Sequence, residues 1–431
     1  MAATRNSHPG VVYKFTPKNR WDVKLHFFSG ITAWPWVKFL VRHVTHIDWA
    51  VYWHRVLFLS IMAVINTLLA VPDWIMYRKR VDSQALHPEP VIILGHPRTG
   101  TTHLHNILSL DPAFAFCNTF HAGFPSSFVF LAPYRDLLSP MLAPTRPMDN
   151  MALHWDLPAE DEIATTVLSG GTSPYTSILL PREAARSFRD FFTFGRGSGG
   201  GGSSRGKRGG GGGGRVGGGS VPVPAPATAS GAAALAARFD EWRGCLLWFL
   251  RKVTLAAALS DPSAASPKPL LIKSPVHTAR VRLLRAEFPK ARFLYIHRHP
   301  LHVFQSAAHM ADAYYGYTYL QQPTDAAVTE YILNQYDVLY NEYISARGDV
   351  PKDRLHELSF DQLEDDPLST LRAIYAKFGW LERFESLLPK FKAYCATLGD
   401  FKRNHHNTLS PEMAEMVRER WAPSFKEFGY S

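Results

Sequence analysis

The apolar positions divide the chain into two unlike parts. Residues 56–72, VLFLSIMAVINTLLAVP, form the longest apolar run, interrupted only by Ser60, Asn66 and Thr67. Continued through Trp74, Ile75 and Met76, the run reaches roughly the 20 residues that a membrane-crossing helix needs, at the cost of including Asp73. His54-Arg55 and Arg78-Lys79-Arg80 border it, and Trp49, Trp53, Trp74 and Tyr77 stand near its ends, as cations and aromatic rings do at a membrane boundary. Just upstream, WPWVKFLVRHV at 34–44 is amphipathic, a pattern suited to a helix lying flat. Two expectations therefore stand side by side for residues 1–88: a single span over about 56–76, or a buried or interfacial helical hairpin. The similar charge of the two flanks leaves orientation unread.

From residue 89 the pattern changes. PVIIL is a short, continuous, β-branched run, followed by a polar loop and then THLHNILSL, with Leu104, Ile107 and Leu108 at helical spacing. PLLIKSP (269–275) and ARFLYIHRHP (291–300) repeat the plan, each an apolar strand ending in polar residues and a proline before a helical pattern. Apolar strands alternating with helices predict a parallel sheet with helices on both faces, whose ligands gather at the carboxyl ends of the strands. All three polar clusters fall there. Residues 195–234 begin with a glycine tract and pass into a Pro/Ala stretch without apolar periodicity, which predicts a disordered insertion in the 89–431 domain.

Gly95 to Gly100, in GHPRTGTT, has the spacing of a phosphate-binding loop between a strand and a helix. Its glycines allow a tight turn that aims backbone N–H groups and a helix N-terminus at an anion. The lysine that follows the second glycine in ATP-binding loops is replaced by Thr101, and the cation has moved to Arg98. The strand ends offer Lys273-Ser274 and His297-Arg298-His299 but no carboxylate for Mg²⁺, which argues against a nucleoside triphosphate and against a metal. Further on, Arg298 and Ser306 lie eight residues apart around Pro300, a guanidinium and a helix hydroxyl able to grip one phosphate. Two anion sites at one sheet edge call for a ligand with two separated anionic ends. The formal charge of +10 fits an anionic ligand, although Arg196, Arg205, Lys207, Arg208 and Arg215 fall in the glycine tract. No aromatic residue is interleaved there for stacking on bases, so nucleic acid is not expected as a partner. Cys117, Cys245 and Cys395 are scattered and form no Cys-x-x-Cys pair, which argues against a zinc site or a disulfide framework.

PRTGTT together with RHPLHVFQS resembles the two signatures of sulfotransferases that use 3′-phosphoadenylyl sulfate (PAPS). HPRTGTTHLHNILSLDP, LPAEDE, LIKSPVHTARVRLLRAEFPKARFLYIHRHP and FDQLEDDPLSTLRAIYAKFG are similar to the broad microbial and algal branch of that family, across about 89–190 and 235–431. The glycine tract has no counterpart in it. The resemblance implies an α/β, P-loop-type parallel sheet flanked by helices, with N-terminal hydrophobic helices; the disordered insertion follows from the tract's own composition. It implies PAPS as co-substrate, bound at its 5′-phosphosulfate by Pro97, Arg98, Thr99, Gly100, Thr101 and Thr102 and at its 3′-phosphate by Arg298 and Ser306. Phe360 falls where relatives place an aromatic near adenine, and Lys402 and Arg403 where a basic segment closes over the 3′-phosphate.

Sulfuryl transfer needs a base for the acceptor proton and cations for the charge growing on the leaving oxygen. For the cations we take Arg98 and Lys273, the latter ahead of Ser274-Pro275, read as an N-cap and first helical position. For the base we take Glu160, with Glu162 second, from the triplet Glu160-Asp161-Glu162; three carboxylates exceed what a helix dipole needs. His121 and His154 are the histidine alternatives. The aromatic run DAYYGYTYL at 312–320 is a candidate acceptor wall or buried packing. The acceptor is a hydroxyl or amine on a glycan, lipid or small molecule. A membrane-associated enzyme is expected, in a Golgi or endomembrane compartment or on a cytoplasmic face. The competing readings are a P-loop kinase of a small metabolite and a non-catalytic membrane protein that binds PAPS or its product. Oligomeric state is not readable.

Overall fold

The computed structural model describes residues 10–197, 229–398 and 408–431. Five strands, β1 (Val91–Leu94), β2 (Ala115–Phe116), β3 (Leu270–Lys273), β4 (Arg292–His297) and β5 (Leu355–Ser359), form one parallel sheet in the order β2-β3-β1-β4-β5. The three expected strands are its centre. The two that sequence patterning did not show, β2 and β5, are its edges: β2 has two residues, and β5 leaves only Leu358 buried. Both faces are covered, which is why β1 and β3 are apolar without alternation. On one face Ile92, Ile272 and Phe293 join a cluster with Trp242 and Phe249; on the other Val91, Leu271 and Leu294 pack with Leu104, Leu371 and Phe391.

The apolar N-terminal segment is longer than its hydrophobic run. Helix α1 (Ala33–His43) lies alongside α2 (Trp49–Ser83), tied by Trp36 Nε1 to Ser60 Oγ at 2.9 Å and Ala33 N to Thr67 Oγ1 at 2.8 Å. The polar residues within the run are the anchors of α2 to the rest of the molecule. Asn66 donates to the carbonyls of Ser29 and Ile31, and buried Asp73 accepts from Val129 N and Phe130 N and pairs with buried Lys252 Nζ at 2.8 Å. Arg55, fully buried, donates to the carbonyls of Tyr319 and Arg20 at 2.7 and 2.9 Å.

Helix α3 (Thr101–Leu108) follows β1, and α4 (Asp161–Ser169) begins at the acidic triplet, whose three carboxylates go in three directions. Glu160, at the N-cap position, points into the site described below. Asp161 binds His277 Nε2 at 2.5 Å and accepts from the backbone N–H of Lys273 at 3.2 Å. Burial pushes the Asp161 carboxyl up, but the His277 imidazole outweighs it and holds the group below its ordinary value. Glu162 is fully buried, bonded to Arg280 at 2.8 Å, Trp242 Nε1 at 3.1 Å and Ser173 Oγ at 2.7 Å. That closes the second-choice base: Glu162 is a neutralised structural carboxylate away from both cavities. Ser274 occupies the expected N-cap position before a 3₁₀ turn over Pro275–Arg280, yet it does not cap that turn. Its hydroxyl accepts from Glu162 N at 3.0 Å and caps α4 instead.

The expected insertion ends earlier than residue 234. Helix α5 (Ala229–Ser260) already includes 229–234, because an alanine-rich stretch without apolar period still carries the highest intrinsic helix propensity.

Breaking the buried Arg280 pair leaves an uncompensated charge. Glu162→Ala is expected to cost about 3–5 kcal/mol of stability, read as a fall in Tm, while activity per folded molecule stays close to wild type. A depressed carboxyl stabilises fully above its unfolded value and loses that contribution as pH falls through the folded one. Wild type and Asp161→Asn should therefore differ in stability at neutral pH and converge as the medium is acidified below 3.8, the ordinary value for this group.

Candidate active site

Three neighbouring strand ends define the site. Because β1 lies between β3 and β4, the loop leaving it emerges with Lys273 on one side and Arg298 on the other. The loop turns through left-handed backbone at Gly100 (φ 90°) and, unusually for a residue with a side chain, at Arg98 (φ 76°). A Cβ on Gly100 would lie 2.3 Å from the Phe360 ring, so only glycine fits there. Thr278 clamps the loop's start, its hydroxyl accepting from Gly95 N at 2.8 Å and donating to Gly95 O at 3.0 Å.

The two basic signatures meet directly. Arg98 Nε donates to Ser306 Oγ at 3.0 Å, and Arg298 reaches the Arg98 carbonyl at 3.3 Å while stacking 4.1 Å from the Phe360 ring centre. Ser306 lies in the second turn of α6 (Pro300–Ala313), the helix after β4. Arg98, Gly100, Thr101, Thr102, Arg298, Ser306 and Phe360 together line one cleft of about 770 Å³. Thr99 is buried against the loop, with its hydroxyl on the His96 carbonyl at 2.8 Å, so its part is to shape the turn. Pro97 lines the adjoining cavity. Arg98 also donates to Asp149 Oδ2 at 3.0 Å, and Arg146 approaches the other oxygen of that carboxylate at 3.3 Å. The Asp149 carboxylate shows that this corner accommodates an anion, and the residues present fit a ligand carrying phosphate or sulfate. Lys402 and Arg403 lie outside the described residues.

A second cavity of about 360 Å³ adjoins the first and shares Arg98, Thr101, Thr102 and Asn106 with it. Lys273 and Glu160 stand at this seam. Lys273 is almost fully buried, and its ammonium donates to Glu160 Oε1 at 3.0 Å and to Thr102 Oγ1 at 3.2 Å. Tyr175 donates its hydroxyl to the other oxygen of Glu160. Burial, and then the Glu160 charge, raise the tyrosine well above its ordinary value, so at neutral pH it keeps the proton it donates to Glu160. Sequence reasoning missed Tyr175 and Asp149, which belong to no quoted motif, and Thr278, which lies within LIKSPVHTAR but was given no role. Of the aromatic run at 312–320, Tyr314 and Tyr315 line this cavity, and Tyr315 and Tyr319 are both part of the buried core.

Neither histidine alternative reaches the site. His121 completes a capping box with Asn118 and packs 4.3 Å from Phe128; burial, with Lys252 nearby, lowers it to about 3. His154 is largely exposed beside Asp156. Among the described residues no three His, Cys, Asp or Glu side chains converge as a metal-binding group.

Residues 90–382 match the model of the Sulfotransferase family. The chain is 28% identical over 406 residues to the omega-hydroxy-beta-dihydromenaquinone-9 sulfotransferase Stf3 of Mycobacterium bovis and, equally, of Mycobacterium tuberculosis, covering 92% of this chain and 89% of the relative. Among solved structures, the fold is similar to sulfotransferase STF9 from Mycobacterium avium, with a TM-score of 0.57 at 15% identity over 93% of each chain. It is similar also to STF1 from Mycobacterium tuberculosis H37Rv, with a TM-score of 0.56 at 17% identity over 90% of each chain. The family match spans the phosphate-type loop, the Glu160–Lys273 pair and the Arg298/Ser306 cluster, and the chain belongs to the sulfotransferase family.

Proposed function

We propose that the protein transfers a sulfuryl group from PAPS to the hydroxyl of an apolar acceptor and releases 3′,5′-ADP. The observation that carries this reading is Lys273, whose ammonium bridges the base candidate Glu160 and the loop hydroxyl of Thr102 where the two cavities meet. In this reading the larger cleft holds the donor. The loop amides, Thr101, Thr102 and Arg98 take its 5′-phosphosulfate, Arg298 and Ser306 its 3′-phosphate, and Phe360 flanks its adenine. The donor supplies an activated sulfur whose bond to the 5′-phosphate oxygen breaks as the acceptor oxygen bonds to it. Glu160 removes the acceptor proton, with Tyr175 steadying the carboxylate. Lys273 and Arg98 offset the charge arriving on the departing phosphate oxygen. In this reading Arg98 leaves Asp149 as the donor arrives, so donor binding exchanges one anion for another on the same guanidinium.

The acceptor side favours an apolar alcohol. Met62, Met141, Met148, Met151 and Met310 share the smaller cavity's wall with Phe27, Phe124 and Trp155. Flexible thioethers adapt to irregular hydrocarbon and offer a sugar few hydrogen bonds. A relative named for a hydroxylated menaquinone is consistent with that chemistry. Helix α2 is long and apolar enough to cross a membrane, and we carry forward membrane association of the 1–88 region beside an 89–431 catalytic domain. The curated relatives are mycobacterial, and nothing in the fold addresses a Golgi or endomembrane compartment.

Glu160→Gln should lower kcat by about 10²–10⁴-fold, the usual worth of a positioned base, with the Kd for 3′,5′-ADP unchanged in calorimetry. Activity within a factor of about two of wild type would remove Glu160 from that role. Arg298→Ala should weaken 3′,5′-ADP by about 1.5–3 kcal/mol, roughly ten- to a hundredfold, through a lost charge-assisted contact. Binding of adenosine 5′-phosphosulfate, which lacks the 3′-phosphate, should be indifferent to the change; equal losses for both ligands would place Arg298 elsewhere on the nucleotide.

A further inference from the structure

The outer faces of α1 and α2 remain unexplained by transfer chemistry. On α2, Trp53, Leu57, Ile61, Val64, Leu68, Val71 and Ile75 recur every three or four residues, and each is about half exposed or more. On α1, Trp34, Val37 and Val41 do the same. These are complete helical stripes, left bare.

We propose that these two stripes lie flat on one leaflet of an anionic phospholipid bilayer, and that the acceptor passes from that leaflet into the methionine-lined cavity. Three observations select this occupant. The first is charge. No exposed carboxylate interrupts α2 between Trp49 and Tyr77, whereas Arg78, Lys79 and Arg80 are exposed at its end and Lys18, Arg20 and Lys24 in the segment before α1. A cationic border around an apolar face is what an anionic headgroup layer complements. Rings of Trp21, Trp34, Trp49 and Trp74, all exposed, stand where a membrane interface places indoles.

The second is the docked side of α2. Its buried positions run from Tyr52 to Val81, and Arg55, Asn66 and Asp73 bond to other parts of the molecule along that length. A helix attached to a soluble-type domain at so many points along its axis cannot stand across a hydrocarbon layer about 30 Å thick without carrying those partners in. It can lie in the plane with one stripe immersed.

The third is the cavity's rim. Met62 belongs to α2 next to exposed Ile61, Lys24 is exposed, Leu25 and Phe27 are half-buried, and Met141 is 48% exposed. The rim is thus continuous with the bare stripe. A second copy seated on this face would cover the rim, whereas a leaflet would present acceptor to it. This inference rests on reading the smaller cavity as the acceptor pocket.

The test uses the full chain and vesicles of phosphatidylcholine containing about one third phosphatidylglycerol, an anionic lipid. Wild type should float with these vesicles, be released by alkaline carbonate and sulfate a long-chain alcohol dissolved in them. A triple variant, Leu57→Glu, Ile61→Glu and Leu68→Glu, should remain in the soluble fraction with unchanged Tm. Its activity on the vesicle-borne alcohol should fall by about tenfold or more, the loss of an apolar anchor. Its activity on a short soluble alcohol and its affinity for 3′,5′-ADP should stay at wild-type levels. Failure of wild type to float overturns the proposal, as does resistance to carbonate, which would mean a span. A wild-type dimer that the triple variant converts to a monomer would assign the face to a second copy and overturn it too. If wild type floats but sulfates neither alcohol, docking stands and the acceptor reading of the cavity falls.

Discussion

The site depends on one constraint of parallel-sheet geometry: β1 is flanked by β3 and β4, and all three strands end at the same edge. The loop leaving β1 therefore has no freedom to choose its neighbours. It is met by the lysine that ends β3 and by the arginine that follows β4. Lys273 faces the base candidate and Arg298 faces the cleft because they leave strands on opposite sides of β1. A nucleotide with two anionic poles laid across that edge meets cations at both.

Electrostatics in this chain is handled by division of labour. Three consecutive carboxylates at one helix start would repel one another if left together. Asp161 is committed to His277 and to the backbone of Lys273, and Glu162 to Arg280 and Trp242. Only Glu160 keeps contact with a cavity. The same backbone bond that satisfies Asp161 fixes the chain at Lys273, so the structural carboxylate positions the lysine that faces Glu160. Asn66 and Asp73 show the same economy at the N-terminus, where apparent blemishes in an apolar run are the points of attachment.

Much of this was legible from residue order. The continuous β-branched runs gave the three central strands, and the loop and the distant Arg298/Ser306 pair, expected at one sheet edge, line one cleft. Glu160 and Lys273 emerged from their places at a helix start and a strand end. What escaped has physical reasons. The edge strands are too short or too exposed to leave an apolar pattern. Met62, Met141, Met148, Met151 and Met310 converge from segments far apart in the chain, and methionine spacing carries no signal of that. Tyr175 and Asp149 meet the site through contacts that only folding creates. The role of α2 was undecided because a helix bare on one face and docked on the other has the composition of a span.

Lateral supply from a leaflet and a donor cleft facing water would separate the two substrates by phase, with the Glu160–Lys273 pair at the boundary between them. The arrangement would be economical, because an apolar cavity would exclude water from the acceptor oxygen while a cationic cleft would draw its ligand from solution. The most direct measurement of the central claim is a crystal structure with 3′,5′-ADP bound. The account predicts the 5′-phosphate on the amides of the Gly95–Gly100 loop, the 3′-phosphate between Arg298 and Ser306, and Arg98 parted from Asp149. A nucleotide bound away from that edge, or bound there with the Arg98–Asp149 pair intact, would contradict it.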